Sequence, residues 1–208
     1  MSEPKGTPVA SYYPWMEDDE DDAFAWVTKK SDFLMHCMDS YLLCEGVSVK
    51  SWFPTDSVFQ LADDYGMQLT DSIPNTLNLL IVSEKLKGVL EEKSGAEIEF
   101  LPVHLRNHKG RLVAEPYFIA NPLGTVECVD RERSQFRTSS IRPDQVFRFF
   151  RLAVDTAKIP PDARLFRLKE QTDLILVRQD LADEILRAGC NGMLFLEMED
   201  YGAEFRLD

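Results

Sequence analysis

The chain has 208 residues, 44% hydrophobic and 28% charged, the composition of a globular protein with a sizeable core. A formal charge of −13 and a pI of about 4.7 repel phosphate backbones and anionic lipid heads, which disfavours nucleic acid and membrane surfaces and favours a basic protein partner. The four cysteines, Cys37, Cys44, Cys128 and Cys190, form no C-x-x-C pair, and the N-terminus has neither the basic start nor the apolar run of a signal peptide, so a cytoplasmic protein with reduced thiols is expected.

Residues 1–11 are small, polar and rich in Ser, Pro and Gly, and are expected to be flexible. The remainder, 12–208, reads as one domain, with lobes of about 12–105 and 106–208 as one way of dividing it. It opens on an unusual junction: Tyr12, Tyr13, Pro14 and Trp15 stand directly before the acidic run Glu17, Asp18, Asp19, Glu20, Asp21, Asp22, and Phe24 and Trp26 follow. One reading is a solvated acidic loop between aromatics anchored in the core. The other is a contact surface, because aromatics beside unpaired carboxylates suit a basic partner. On that second reading the candidate contact residues are Tyr12, Tyr13, Trp15, Glu17, Asp18, Asp19, Glu20, Asp21, Asp22 and Trp26. Consecutive carboxylates lack the spaced ligands and fixed turn of a calcium loop, so no metal is assigned to them.

The segment "SDFLMHCMDSYLLCEGVSVKSWF" is apolar enough to predict core but ambiguous between helix and strand. Pro74-Asn75 marks a break. From Leu80 to Leu101 an apolar run too short for a helix precedes Leu86, Val89 and Leu90 at helical spacing, followed by Ile98 and Phe100 in alternation, which predicts strand, short helix, strand. The stretch Ile175 to Leu196 has the same pattern. At a constant spacing of 95 residues, Leu80, Ile81, Val82, Leu86, Leu90, Ile98, Phe100 and Leu101 correspond to Ile175, Leu176, Val177, Leu181, Ile185, Met193, Phe195 and Leu196. A duplication would produce this, and so would the periodicities that any two such units must satisfy. Between them, Val103 to Pro122 predicts a hairpin turning at Asn107-His108-Lys109-Gly110, and Gln145 to Leu168 predicts two strands around Pro160-Pro161. Strands and short helices without strict alternation indicate an α+β fold with a mixed or mainly antiparallel sheet.

Catalytic chemistry finds little support. His104 and His108 sit four apart where a strand enters a turn, so they do not share a helical face as zinc ligands would, and no third ligand follows. Cys128 alternates with Val126 and fits a small buried hydrophobe better than a nucleophile. No nucleophile elbow, Walker loop or dinucleotide fingerprint occurs, and no cofactor is implied. Arg131, Arg133, Arg137, Arg142, Arg148 and Arg151 are interleaved with Asp130, Glu132 and Asp144, which predicts intramolecular ion pairs rather than a nucleic-acid groove. In the stretch from Ala114 to Phe136, Asp130 and Ser134 occupy positions where side chains bond nearby backbone, so this crowd of reactive groups reads as fold punctuation.

The segments "LTDSIPN", "LLIVSEKLKGVLEE", "IEFLPVHL", "YFIANPL…VECVDRERSQF", "LFRL" and "NGMLFLE", in this order between about Trp52 and Glu197, resemble the immunity protein eleven family of bacterial polymorphic toxin systems. The resemblance implies a non-enzymatic protein that protects the producing cell by binding and blocking a cognate toxin encoded by a neighbouring gene. It implies no cofactor and does not say which residues touch the toxin. Nothing in the sequence calls for a homodimer.

Overall fold

The computed structural model describes residues 10–205, so 1–9 of the expected flexible N-terminus and 206–208 at the other end lie outside the described residues. In chain order the elements are β1 (Tyr12–Glu17), α1 (Asp32–His36), β2 (Val58–Gln60), β3 (Ser72–Ile73), β4 (Ile81–Ser83), α2 (Glu84–Lys93), β5 (Ile98–Arg106), β6 (Tyr117–Pro122), β7 (Thr125–Val126), β8 (Gln135–Thr138), β9 (Val146–Arg151), β10 (Leu165–Leu168), β11 (Gln171–Arg178), α3 (Gln179–Arg187) and β12 (Met193–Phe195). Two five-stranded sheets run β2-β5-β6-β4-β3 and β12-β1-β11-β10-β7, and β8 and β9 form a separate ribbon. All neighbours within these sheets pair antiparallel except β2 with β5 and β10 with β7, so the fold is α+β as expected.

The two strand-helix-strand units recur with the same boundaries: Ser83, Glu84 and Ile98 end β4, begin α2 and begin β5, and Arg178, Gln179 and Met193 do the same for β11, α3 and β12, each 95 residues on. In both units the two strands are split by an antiparallel strand inserted between them. In the first sheet that strand is β6, joined to β5 through the hairpin whose Asn107 Oδ1 accepts from the Lys109 and Arg111 amides. In the second it is β1, from the far end of the chain. The registers correspond: Tyr117 faces Ser83 and Phe118 faces Val82, as Tyr12 faces Arg178 and Tyr13 faces Val177. Ala120 faces Phe100 and Pro122 faces Ile98, as Trp15 faces Phe195 and Glu17 faces Met193. Even the buried phenols correspond, with Tyr117 Oη donating to Thr70 O at 2.9 Å and Tyr12 Oη donating to Ala163 O at 3.2 Å, two residues before β3 and β10 respectively. Each half of the chain therefore lends its first strand to the sheet of the other.

Packing follows from strand periodicity. Leu80, Val82, Ile175 and Val177 point inward with Phe100, Phe195 and Trp15 to a core shared by both sheets and both helices, where α2 contributes Leu86 and Leu90 and α3 contributes Leu181 and Ile185. Ile81 and Leu176, one position away, point to opposite outer cores. This two-faced burial is why Leu80–Val82 and Ile175–Val177 are continuous apolar runs rather than alternations. Residues 24–61 cover the outer face of the first sheet, where Val27, Leu34, Leu43 and Phe59 meet Ile81 and Leu105. The ribbon and residues 128–159 cover the second, with Phe149 and Cys128 against Leu168 and Leu176. Helix α2 is capped by Ser83, whose side chain accepts from the Leu86 amide, while α3 has Asp180 in its first turn, forked to Arg178 at 2.8 and 3.0 Å. The two helices are antiparallel neighbours: Lys85 Nζ at the start of α2 reaches the Gly189 carbonyl beyond α3, and Arg164 beside the start of α3 reaches the Lys93 carbonyl at the end of α2.

Candidate partner-binding site

The aromatic half of the candidate contact set divides on burial. Tyr12 and Trp15 are 7% and 8% exposed, Tyr12 edge-on to Phe166 and Trp15 edge-on to Phe195, and this corrects their assignment as surface anchors. The reason is the position of β1: an interior strand covered on both faces sends Tyr12 to the outer core and Trp15 to the shared one. Tyr13 is half-buried, and so is Trp26, which stacks on Tyr65 at 5.1 Å between ring centroids. The acids behave differently. Asp19, Glu20, Asp21 and Asp22 are exposed, and the loop is held by its own turns, with Asp18 Oδ1 accepting from the Glu20 amide and Asp21 Oδ1 from the Ala23 amide. No ion pair among the described residues involves Asp18 to Asp22. The loop therefore presents unneutralised carboxylates to solvent.

Glu17, the last residue of β1, lies apart from the rest of the acidic run. It lines a cleft where the two halves meet, beside Asn78 of the β3–β4 connection and Asp173 near the start of β11, two residues again 95 apart and joined by an Asn78 Nδ2 to Asp173 Oδ2 hydrogen bond of 3.0 Å. The cleft has two compartments, a smaller one of about 130 Å³ with Trp15, Glu17 and Tyr201 in its wall, and a larger one of about 320 Å³ bordered by Tyr41, Cys44 and Glu45. Asn78, Leu79, Gln171 and Asp173 line both. Burial pushes the Glu17 carboxyl up to about 8, against a hydrogen bond that its Oε1 accepts from Asn75 Nδ2 at 3.1 Å. The Tyr201 phenol is pushed up to about 12 by burial. Two polar atoms on residues of the smaller compartment's wall, Trp15 Nε1 and Gln171 Oε1, are buried without a hydrogen-bond partner. Behind the cleft Arg167, 1% exposed, donates to the carbonyls of Leu43, Pro122 and Thr172 and to Asn121 Oδ1, tying both halves together.

Two further surfaces were not foreseen. The apolar segment 31–53 is only half core: α1 is one short turn capped by Ser31, followed by a 3₁₀ segment over 38–44, and these bury Leu34 and Leu43 but leave Phe33, Met35, Met38 and Tyr41 exposed. Met38 is 93% exposed. The arginines follow the expected ion pairing only in part. Arg142 is forked to Glu45 at 2.7 and 3.4 Å and Arg133 stands 3.9 Å from Asp130, but Arg137 faces Arg148 directly across the ribbon. Arg131 lies over the Phe136 ring, and Arg137 and Arg151 are exposed. The interleaved acids Glu132 and Asp144 are exposed and form no ion pair among the described residues.

The remaining reactive side chains build structure. Cys128 is fully buried just beyond β7, and its thiol is pushed up to about 12 by burial, opposite to the activation a nucleophile requires. His104 and His108 are exposed, and no group of ligating side chains able to hold a metal occurs among the described residues. Asp130 Oδ1 accepts from the Glu132 and Arg133 amides, and Ser134 Oγ exchanges hydrogen bonds with the Ala153 backbone, so this stretch turns the chain as expected. No helix among the described residues is long and apolar enough to cross a membrane.

Comparison with known proteins decides the family. The Imm11 immunity protein family matches residues 20–200. The chain belongs to that family. Its match ends short of β1, so the strand carrying Trp15 and Glu17 stands outside the matched region while the elements it pairs with, β11 and β12, stand inside it. The role that goes with the family is toxin-neutralising immunity. No curated protein matches the chain.

Proposed function

We propose that the protein neutralises a cognate bacterial toxin of a polymorphic toxin system by forming a protein–protein complex that blocks the toxin's active site, in the cytoplasm of the producing cell. Membership of the Imm11 family over residues 20–200 carries this reading. The physical surface supports it: the charge of −13 includes an exposed run of carboxylates without ion-pair partners, which suits long-range attraction of a basic toxin. Glu17 to Asp22, Tyr13 and Trp26 remain the contact candidates, and a toxin whose active site is a basic cleft would accept the acidic loop in place of phosphate.

Co-expression with the neighbouring gene product tests the reading. The expected result is rescue of growth together with a complex that survives purification. Rescue without a complex would replace this reading with repair of toxin damage.

A further inference from the structure

The cleft between the halves has three properties that the fold does not require. First, it holds a carboxyl group at a position where the other sheet manages without one. Glu17 faces Met193 as Pro122 faces Ile98, in matching register, so an apolar residue satisfies the same place in the repeated unit. Covering a carboxyl that has no cation beside it costs stability, and costly groups of this kind concentrate at sites that bind something. Second, Trp15, more than nine-tenths buried in the cleft wall, leaves its indole N–H without an acceptor, and Gln171 leaves its Oε1 without a donor. Third, the compartment that Glu17 lines, about 130 Å³, is smaller than the roughly 300–1,000 Å³ typical of small-molecule sites and adjoins one of about 320 Å³ across Asn78, Leu79, Gln171 and Asp173. That size suits one inserted side chain.

The unmet groups specify the chemistry. Glu17 calls for a cation, and Asp173, whose Oδ2 accepts from Asn78 Nδ2, adds a second carboxylate to the same wall. A basic side chain supplies that cation. Among the described residues none that lines the cleft beside Glu17 is cationic: Asn75 and Asn78 come from the β3–β4 connection, Gln171 and Asp173 from β11, and Tyr201 from the C-terminal turn, while the buried Arg167 behind the cleft feels the Asp173 charge but gives its hydrogen bonds to Leu43, Pro122, Thr172 and Asn121. Lys30 borders only the larger compartment, with its Nζ bonded to Ser40 Oγ. We propose that this cleft is the receptor for an arginine or lysine side chain presented by the partner protein, with Glu17 and Asp173 as its counter-charges. The proposal rests on the immunity reading for the partner's identity but not for the site itself.

Binding a cation makes Glu17 give up its proton, so affinity rises with pH up to about 8 and falls about tenfold per unit below it. Tyr201 stays neutral throughout that range.

The test uses the full chain and N-acetyl-arginine methylamide as probe, with the uncharged citrulline analogue as control. Binding is read by NMR at the Trp15 indole N–H, identified by the signal lost in Trp15→Phe. The expected result is a saturable shift with the arginine compound, none with the citrulline compound, at least a tenfold loss in Glu17→Gln, and about fiftyfold weaker binding at pH 6 than at pH 8. Equal response to both compounds, or full binding by Glu17→Gln, overturns the proposal. The toxin complex separates this from the immunity reading. If wild-type protein binds the toxin and Glu17→Gln with Asp173→Asn binds it equally well, the receptor is wrong and the immunity reading stands. If the arginine compound seats but no toxin is captured, the reverse holds.

Discussion

The two halves share strand order, register and a matching pair of buried tyrosines, yet they differ in what their inserted strands carry. Strand β6 ends in Ala120, Asn121 and Pro122, packed into sheet and core, whereas β1 places Trp15 and Glu17 at corresponding pairings and ends at an open cleft and an acidic loop. Each unit thus serves as a comparison for the other. What both carry meets the needs of the shared frame, and what is present only in β1 asks for its own explanation. Burial alone does not separate these categories, because Trp15 is as much a part of the shared core as Phe100.

The largest expected effect lies at Arg167, which follows Phe166 in the hairpin strand of the second half as Pro74 follows Ile73 in the first. Arg167→Leu removes four hydrogen bonds and strands three carbonyls and an amide oxygen between the halves. It should cost on the order of 3–5 kcal/mol in urea denaturation. A loss under about 1 kcal/mol would show that the two halves do not depend on this tie.

Glu17→Gln tests the difference between the inserted strands with the opposite sign. Below the ordinary carboxylate range Glu17 is neutral folded or unfolded. As pH rises from 4.5 to about 8 the unfolded chain releases the proton and the folded chain holds it, so wild-type stability is lost across that window. Relative to wild type, the variant should gain on the order of 2 kcal/mol at pH 8.5, several degrees in Tm, and nothing at pH 4. An unchanged melting profile would mean that water already solvates this carboxyl.

A smaller effect measures how symmetric the repeat is in energy. Tyr117→Phe and Tyr12→Phe each delete one phenol-to-carbonyl hydrogen bond, at 2.9 and 3.2 Å. Each should cost about 1 kcal/mol, with Tyr117 the larger because its bond is shorter and fully buried. Equal thermal shifts would show that the difference in hydrogen-bond length has no energetic weight. Smallest for stability is replacement of Asp19, Glu20, Asp21 and Asp22 by Asn or Gln, within about 0.5 kcal/mol. Toxin association at low ionic strength should nevertheless slow about tenfold, a difference that added salt removes. Association rates insensitive to both the substitutions and salt would exclude the loop from steering.

The strand-helix-strand units could be read in the sequence because their signals are local. Leu86 and Leu90 reveal a helix within one turn, and Ile98 and Phe100 a strand within three residues. The family resemblance was legible for a related reason, since its segments coincide with these buried runs and turns. Segment 31–53 was misread because its one-turn helix and 3₁₀ stretch are too short to impose a period, so apolar composition gave no sign of which side chains face water. The arginines were legible only in part: Arg133 and Arg142 pair with Asp130 and Glu45 within the chain, but a sequence that places Glu132 beside Arg131 and Arg133 does not say that a ribbon would set Arg137 against Arg148.

By itself the sequence determined the acidic character, the α+β class, the two similar units at a spacing of 95 and the family. Only the tertiary structure decided that β1 crosses to the distant sheet, which withdraws Tyr12 and Trp15 from the surface and brings Glu17 to Asp173 and Gln171. The reason is range: propensity and periodicity act over a few residues, whereas Tyr12 and Arg178 pair across most of the chain, where only burial of both faces of the strand selects the partner.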